Sequence, residues 1–447
     1  MTDALFTRHF EQIGMTAGEA RSRAALFREL DERGGRVLNG SPQWFRFSPG
    51  RVEIFGRHTD YAGGHSLLAA VPRGIALVAR PRTDGIVRIG DIRDGQIVEV
   101  DPSAPAPPDY RGLRRYVHVV ARRLFLNFPG CALGAEIAIA SDLPRASGLS
   151  SSSALVVGVA TALIARARLA ERDEWHRYLP TVQHLAWYLG CVENGLDYEG
   201  LPGAAGVGTH GGSEDHTAIL ACRLGHASLY QFMPVTALRD VPMPKDWTFV
   251  IASSGVQADK AGSVMARYNR AADSARALVG LWNQHAEAPA HSLAAALARS
   301  PEAVARFDRW IDAAVGEFSP EDLRKRLHHF VNEDRRAPLA AQAFADADAA
   351  TVGELSRASQ YEAEALLGNQ IPETIALAHL ARETGAYAAS SFGAGFGGSV
   401  WALTATHDAE AFAEEWVRAY QRRVPVVAPV PWFVARPGPP ATEITFP

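Results

Sequence analysis

Four consecutive serines joined to a long apolar segment, "LPRASGLSSSSALVVGVATAL" over residues 143–163, do most to limit what this chain can fold into. Ahead of them "GAEIAIASDLP" has the apolar pattern of a strand, and behind them a helical pattern runs over residues 153–170. Strand, Pro-led turn with Gly148 and helix in succession belong to a mixed domain. Serines at a helix start can cap its free N–H groups, and those groups with the positive end of the helix dipole form a site that suits a phosphate. A flexible serine linker with an ordinary N-cap is the other reading, and no Gly-Lys-Ser/Thr follows at Walker spacing.

A second stretch, "SPGRVEIFGRHTDYAGGHSL" over residues 48–67, sets Arg51, Glu53, Arg57, His58 and Asp60 among Val52, Ile54 and Phe55. Alternation of this kind reads as a half-buried strand that delivers its last residues to a turn. A third, "SSFGAGFGGSVWAL", places Gly393, Gly395, Gly397 and Gly398 just ahead of an apolar strand. Its glycines allow backbone to approach a ligand or another loop, and equally a plain helix-to-strand turn.

With 447 residues, two domains are expected. "VPMPK" at 241–245 interrupts the pattern, so the expected division is 1–243 and 244–447, the second part richer in helix. Helical patterns also cover residues 17–34, 113–128 and 181–194, and "GIALVARPRTDGIVRIGDIRDGQIVEVD" reads as successive strands with Asp-Gly turns. The chain has 47% apolar and 21% charged residues and a net charge of -4, which points away from nucleic acid and toward a small-molecule partner. Cys131, Cys191 and Cys222 form no CxxC pair, and neither a signal peptide nor a membrane-spanning run is visible, so a cytoplasmic protein without a membrane partner is expected. His210 and His216 lack a third residue at zinc spacing.

The three motifs in this order resemble the GHMP small-molecule kinases, and "PGRVEIFGRHTDYAGG" is similar to the galactokinase signature. "SSGVQADKAGSVMARYNRAA" and "HHFVNEDRRAPLAAQAF" resemble that family's C-terminal region. The resemblance implies an α+β fold, with a ribosomal-protein-S5-like N-terminal domain, a ferredoxin-like C-terminal domain and a cleft between them for ATP and sugar. It implies that Gly148, Leu149, Ser150, Ser151, Ser152 and Ser153 wrap the ATP phosphates. Ser152 and Glu193 would hold Mg²⁺, which needs few protein ligands beside phosphate oxygens.

The family's Gly-x-x-Asp loop maps onto Gly212 and Asp215, with Glu214 as the competing acid, although extra residues within "DYEGLPGAAGVGTHG" separate it from Glu193. Asp215 would orient or take the sugar's anomeric proton and Arg51 would stabilise it and the γ-phosphate charge. Sugar recognition would fall to His58, Asp60, Gly212 backbone and Tyr268.

Three departures stand out. Arg57 replaces the glutamate that receives the sugar's 6-hydroxyl, which makes a C6 carboxylate such as galacturonate a candidate substrate, unless Arg57 pairs with a local acid such as Glu53. Ser390 stands where the family has arginine, and Arg145 where it has a small or apolar residue. The expected function is an ATP-dependent sugar 1-kinase acting on galactose or a C6-modified relative. The rivals are a galacturonate 1-kinase, a non-catalytic sugar-sensing regulator, and a mevalonate or homoserine kinase.

Overall fold

The structure, a computed structural model, describes residues 3–144, 148–256, 262–425 and 430–446; Arg145 lies outside them. Among the described residues twelve strands form two sheets. These strands are β1 (Trp44–Phe55), β2 (His65–Pro81), β3 (Val87–Asp91), β4 (Ile97–Val100), β5 (Ala135–Ser141), β6 (His226–Gln231), β7 (Thr236–Pro242), β8 (Trp247–Ser253), β9 (Ala388–Ser391), β10 (Ser399–Ala405), β11 (Trp432–Ala435) and β12 (Thr442–Glu443).

The first sheet runs β12-β1-β2-β5-β3-β4, with β6 and β7 joined to it through β2. β2 is long enough to serve two partners, its start pairing with β6 and its end with β5. The Asp84-Gly85 turn therefore does not close a hairpin, because β5 lies between β2 and β3 and runs parallel to β3. Helices Gly112–Asn127, Ser151–Ala167 and Val182–Asn194 share one core with β1, β2 and β5. Helices Asp3–Gln12 and Ala17–Arg33 cover the other face, where Phe6 stacks on Phe27 at 4.4 Å and Phe10 meets Phe47 edge-on.

The second sheet runs β11-β8-β10-β9. Strand alternation sends Val250 and Ala252 to helices Pro372–Glu383 and Ala409–Arg423, and Phe249 and Ile251 to the core shared with the first sheet. Trp401 of β10 meets Phe249 at 5.7 Å and Phe55 of β1 at 6.2 Å, so apolar packing is continuous between the sheets. β12 lies near the C-terminus yet pairs with β1, which returns the chain end to the first sheet. Helices Gly262–His285 and Pro320–Ala345, with Leu293–Leu297 and Ala303–Asp312, build a further apolar cluster around Trp282, Phe307 and Phe330. No described helix is long and apolar enough to cross a membrane.

Candidate active site

The pairing of β1 with β2 shifts register between Pro49 and Arg51 and again between Glu53 and Phe55. Such irregularities re-aim side chains. Arg51 turns into a cleft between the two sheets, walled by Asp60, Glu193, Asp215, Tyr268 and Gly393. Its backbone N–H donates to Leu149 O at 3.3 Å, its Nη1 donates to Gly148 O, and its Nε donates to Asp215 Oδ1 at 2.6 Å. Nη2 stands 2.5 Å from the same oxygen. Burial opposes the Arg51 charge, but Asp215, Glu214 and Glu53 outweigh it and hold the guanidinium protonated.

The serine helix starts at Ser151, two residues before the sequence pattern indicated, with Ser150 in the left-handed region at φ 55°. Ser150 makes no side-chain cap; its hydroxyl donates instead to Asp215 Oδ2. Ser153 donates to Glu193 Oε2 at 3.1 Å and to Asp215 Oδ2 at 3.3 Å. Ser152, expected to pair with Glu193 as the metal hydroxyl, has no hydrogen bond to either acid, whereas Ser153 bonds both. A single helical step rotates the side chain by about 100°, and only the Ser153 direction faces the acids. The Leu149 side chain is in the core, which leaves its backbone alone for a ligand. Gly148 and Gly393 approach so closely that a Cβ on Gly393 would stand 3.1 Å from Gly148 O, which brings the serine loop and the third glycine segment together.

Asp60 Oδ2 accepts Glu214 N–H at 3.0 Å at the start of helix Glu214–Ala221. Only a glycine fits beside it at 212, where a Cβ would lie 2.3 Å from the same oxygen. His58 Nδ1 is 2.8 Å from Tyr61 Oη, and its ring meets Tyr268 edge-on at 5.3 Å. His58, Asp60, Gly212, Tyr268, Glu193, Asp215 and Arg51 therefore share one cleft.

The two acids of the aspartate loop have separate surroundings. Asp215 meets Arg51 and the serines, whereas Glu214 accepts Ser66 Oγ at 3.0 Å beside Glu53. Burial, then the nearby Glu53 and Asp60 carboxyls, push Glu214 well above the usual carboxylate range. Burial likewise raises Glu53, against the opposing pull of Arg57 and Arg51, and raises Asp60 despite its backbone hydrogen bonds.

Asn194 and Thr209 line the cleft without having been singled out in the sequence, and Glu53 and His216, named there only as a partner for Arg57 and as a poor zinc candidate, line it as well. The extra residues before the aspartate loop are tied down by Arg115 to Gly206 O at 3.0 Å and by Asn127 Nδ2 to Pro202 O at 3.1 Å. Asn194 Oδ1 accepts from Thr209 Oγ1 and Gly211 N, which brings Thr209 to the cleft wall. The Asn194 that follows Glu193 was the available signal, since a half-buried amide at a helix end finds partners.

Three family models match the chain: the galactokinase galactose-binding signature over residues 36–81, the GHMP kinase N-terminal domain over 115–184 and the GHMP kinase C-terminal domain over 340–422. A galactokinase from Roseiflexus sp. (strain RS-1) is 30% identical over 396 residues, which cover 88% of this chain and 91% of that relative. The chain belongs to the galactokinase family. A galactokinase from Chloroflexus aurantiacus is 30% identical over 84% of this chain and 87% of its own. The crystal structure of Lactococcus lactis galactokinase complexed with galactose matches with a TM-score of 0.75 at 26% identity, covering 93% of this chain and 99% of that one. An L. major mevalonate kinase, 18% identical with a TM-score of 0.52, shares the fold. The two-sheet α+β architecture is thus that of a GHMP kinase, and as a galactokinase-family member the chain is a sugar kinase that uses ATP as phosphate donor.

Arg57 of the galactokinase signature is not in the cleft wall. Arg57 is 2% exposed and points between the sheets, where Nη2 donates to Ser390 Oγ at 2.9 Å and Nε stands 3.4 Å from Glu53 Oε1. The expectation that Arg57 reads a C6 carboxylate loses its geometry, and pairing with Glu53 is the arrangement found. Glu333 of helix Pro320–Ala345 closes the same contact by accepting Gly56 N at 3.0 Å and Ser359 Oγ at 2.9 Å.

No three His, Cys, Asp or Glu among the described residues are arranged to hold a metal by themselves. The pairing of one buried carboxylate, Glu193, with one hydroxyl, Ser153, fits a divalent cation that arrives with phosphate oxygens of its own.

Proposed function

We propose that this chain transfers the γ-phosphoryl group of ATP to the anomeric hydroxyl of galactose. The observation that carries the reading is Asp215, held by Arg51 at 2.5 to 2.6 Å where the sugar signature, the serine loop and the third glycine segment converge. In this reading the cleft divides an N-terminal domain, residues 1–243, from a C-terminal domain, residues 244–447, whose last strand crosses back to pair with β1.

Phosphoryl transfer asks the protein mainly for alignment and charge neutralisation. Asp215 accepts or orients the anomeric proton, a contribution of about 10²- to 10⁴-fold. Arg51 holds that carboxylate in place and adds positive charge beside the serine loop. Asp60, His58, Tyr268 and the Gly212 backbone position the sugar, and backbone N–H groups of 148–153 with the serine hydroxyls receive the phosphates. Ser153 and Glu193 would hold Mg²⁺, which when bound neutralises charge on the phosphate oxygens. The three unpaired cysteines suit a reducing cytoplasm.

The test is a panel of neutral sugars and uronic acids with ATP and Mg²⁺, read by ADP release and by loss of the reducing end. Galactose is expected to give the highest kcat/KM, with its anomeric position phosphorylated. Failure to phosphorylate galactose, or a higher kcat/KM for galacturonate, would overturn this assignment of substrate.

A further inference from the structure

We propose that His216 is a nitrogen ligand of the divalent cation that accompanies the nucleotide, beside Glu193 and the Ser153 hydroxyl. This inference rests on the kinase reading above and adds to it a metal preference.

His216 lies in the first turn of helix Glu214–Ala221, directly after Asp215, and lines the cleft while only 2% exposed. Its Nε2 stands 2.9 Å from Glu193 Oε2 but out of line for a hydrogen bond, and neither ring nitrogen has a hydrogen-bond partner among the described residues. Buried polar side chains nearly always have a partner, so an imidazole left this way asks for an explanation. Ser153 Oγ lies 3.1 Å from the same Glu193 oxygen. Ligands set at right angles around an ion, each about 2.1 Å from it, stand about 3.0 Å apart. His216 Nε2 and Ser153 Oγ both have that spacing from Glu193 Oε2. These atoms make a partial shell that phosphate oxygens complete.

An imidazole changes which ion is preferred. Carboxylate and hydroxyl oxygens suit Mg²⁺, whereas imidazole nitrogen favours transition ions, with affinity rising from Mn²⁺ to Co²⁺ and beyond. The chain is therefore expected to bind Mn²⁺ and Co²⁺ better, relative to Mg²⁺, than a shell of oxygens alone would. His216 is buried inside the cleft wall, so this preference belongs to the nucleotide-bound ion and not to a surface site.

The experiment is pulsed electron paramagnetic resonance of Mn²⁺ bound to the full chain with the non-hydrolysable β,γ-imido analogue of ATP. The expected result is nitrogen hyperfine coupling to Mn²⁺ that changes from the ¹⁴N to the ¹⁵N pattern when histidine is ¹⁵N-labelled, and that disappears in His216→Gln. The same variant should lower the ratio of Mn²⁺ to Mg²⁺ affinity by about tenfold, the low end for disturbing a metal's protein surroundings. Labelling tests the wild-type chain, so the outcome does not depend on the variant folding. Bound Mn²⁺ and nucleotide without histidine coupling overturns the role of His216 and leaves the kinase reading standing, as does coupling that persists in His216→Gln. Failure of nucleotide and Mn²⁺ to bind at all overturns both.

Discussion

Arg51 and Arg57 leave the same strand region and come to opposite ends. Arg51 enters the cleft, where Asp215 and Gly148 O use its guanidinium. Arg57 goes into the contact between the sheets, where Glu53 and Ser390 use part of it, and its Nε and Nη1 have no hydrogen-bond partner among the described residues. The first sets its charge beside the Asp215 carboxylate in the cleft; the second neutralises a buried acid. Arginine is suited to both tasks because it stays charged and presents a fixed fork of donors. What separates them is the surroundings each side chain meets, above all the partner on the far side: an acid from the aspartate loop for Arg51, a serine from β9 for Arg57. The resemblance to galactokinases implies glutamate at 57 and arginine at 390, and by that comparison Arg57 and Ser390 set the cation on the other side of the same sheet-to-sheet contact.

The largest expected effect lies on the Arg51 side. Asp215→Asn keeps the shape of the loop but removes the proton acceptor, and kcat should fall by about 10²- to 10⁴-fold while nucleotide binding persists. Steady-state kinetics with calorimetric nucleotide titration checks this, and a loss below about threefold would remove Asp215 from the reaction.

Next comes the reversal on the other side. Arg57→Glu brings a carboxylate beside buried Glu53 and Glu333, and should cost about 3 to 5 kcal/mol of folding stability, the range for breaking a buried pair. Ser390→Arg in the same chain should recover a large part of that loss, measured by denaturant unfolding as a double-mutant cycle. Additive effects in the two variants would break the idea of a displaced cation. Ser390→Ala alone is milder: it removes the acceptor of Arg57 Nη2, for a loss of about 1 to 3 kcal/mol.

The smallest effect is a change in pH dependence. Glu214 is held above its ordinary range by burial and by Glu53 and Asp60. The native state therefore keeps a proton that the unfolded chain has lost once pH passes about 4.3. Stability from this group is full below that value and falls as pH rises toward the native one. Glu214→Gln cannot lose a proton, so its melting temperature should gain on wild type as pH climbs from about 5 to about 8. A constant difference across that range would mean that Glu214 is not held protonated.

Much of the cleft was legible because its parts are contiguous in sequence. The His-Thr-Asp-Tyr turn and the strand ahead of it carry Arg51, His58 and Asp60 to one place by local geometry, whereas Glu193 and Asp215 lie on separate helices and were reached only through the family resemblance. Which serine faces the acids is not legible in the sequence, because a run of identical residues hides where the helix begins and one step of rotation decides which hydroxyl turns inward. His216 was set aside in the sequence for want of a third ligand at zinc spacing, because its neighbour at 2.9 Å, Glu193, comes from another helix.

The sequence by itself determined the mixed sheet-and-helix class, the family and the order of the three motifs. Local patterning and short motifs carry that information. The tertiary structure decided the insertion of β5 between β2 and β3, the return of β12 to β1 and the direction of Arg57. Each of these depends on which distant segment packs alongside, because the free energy of a buried charge is set by partners far away in the chain.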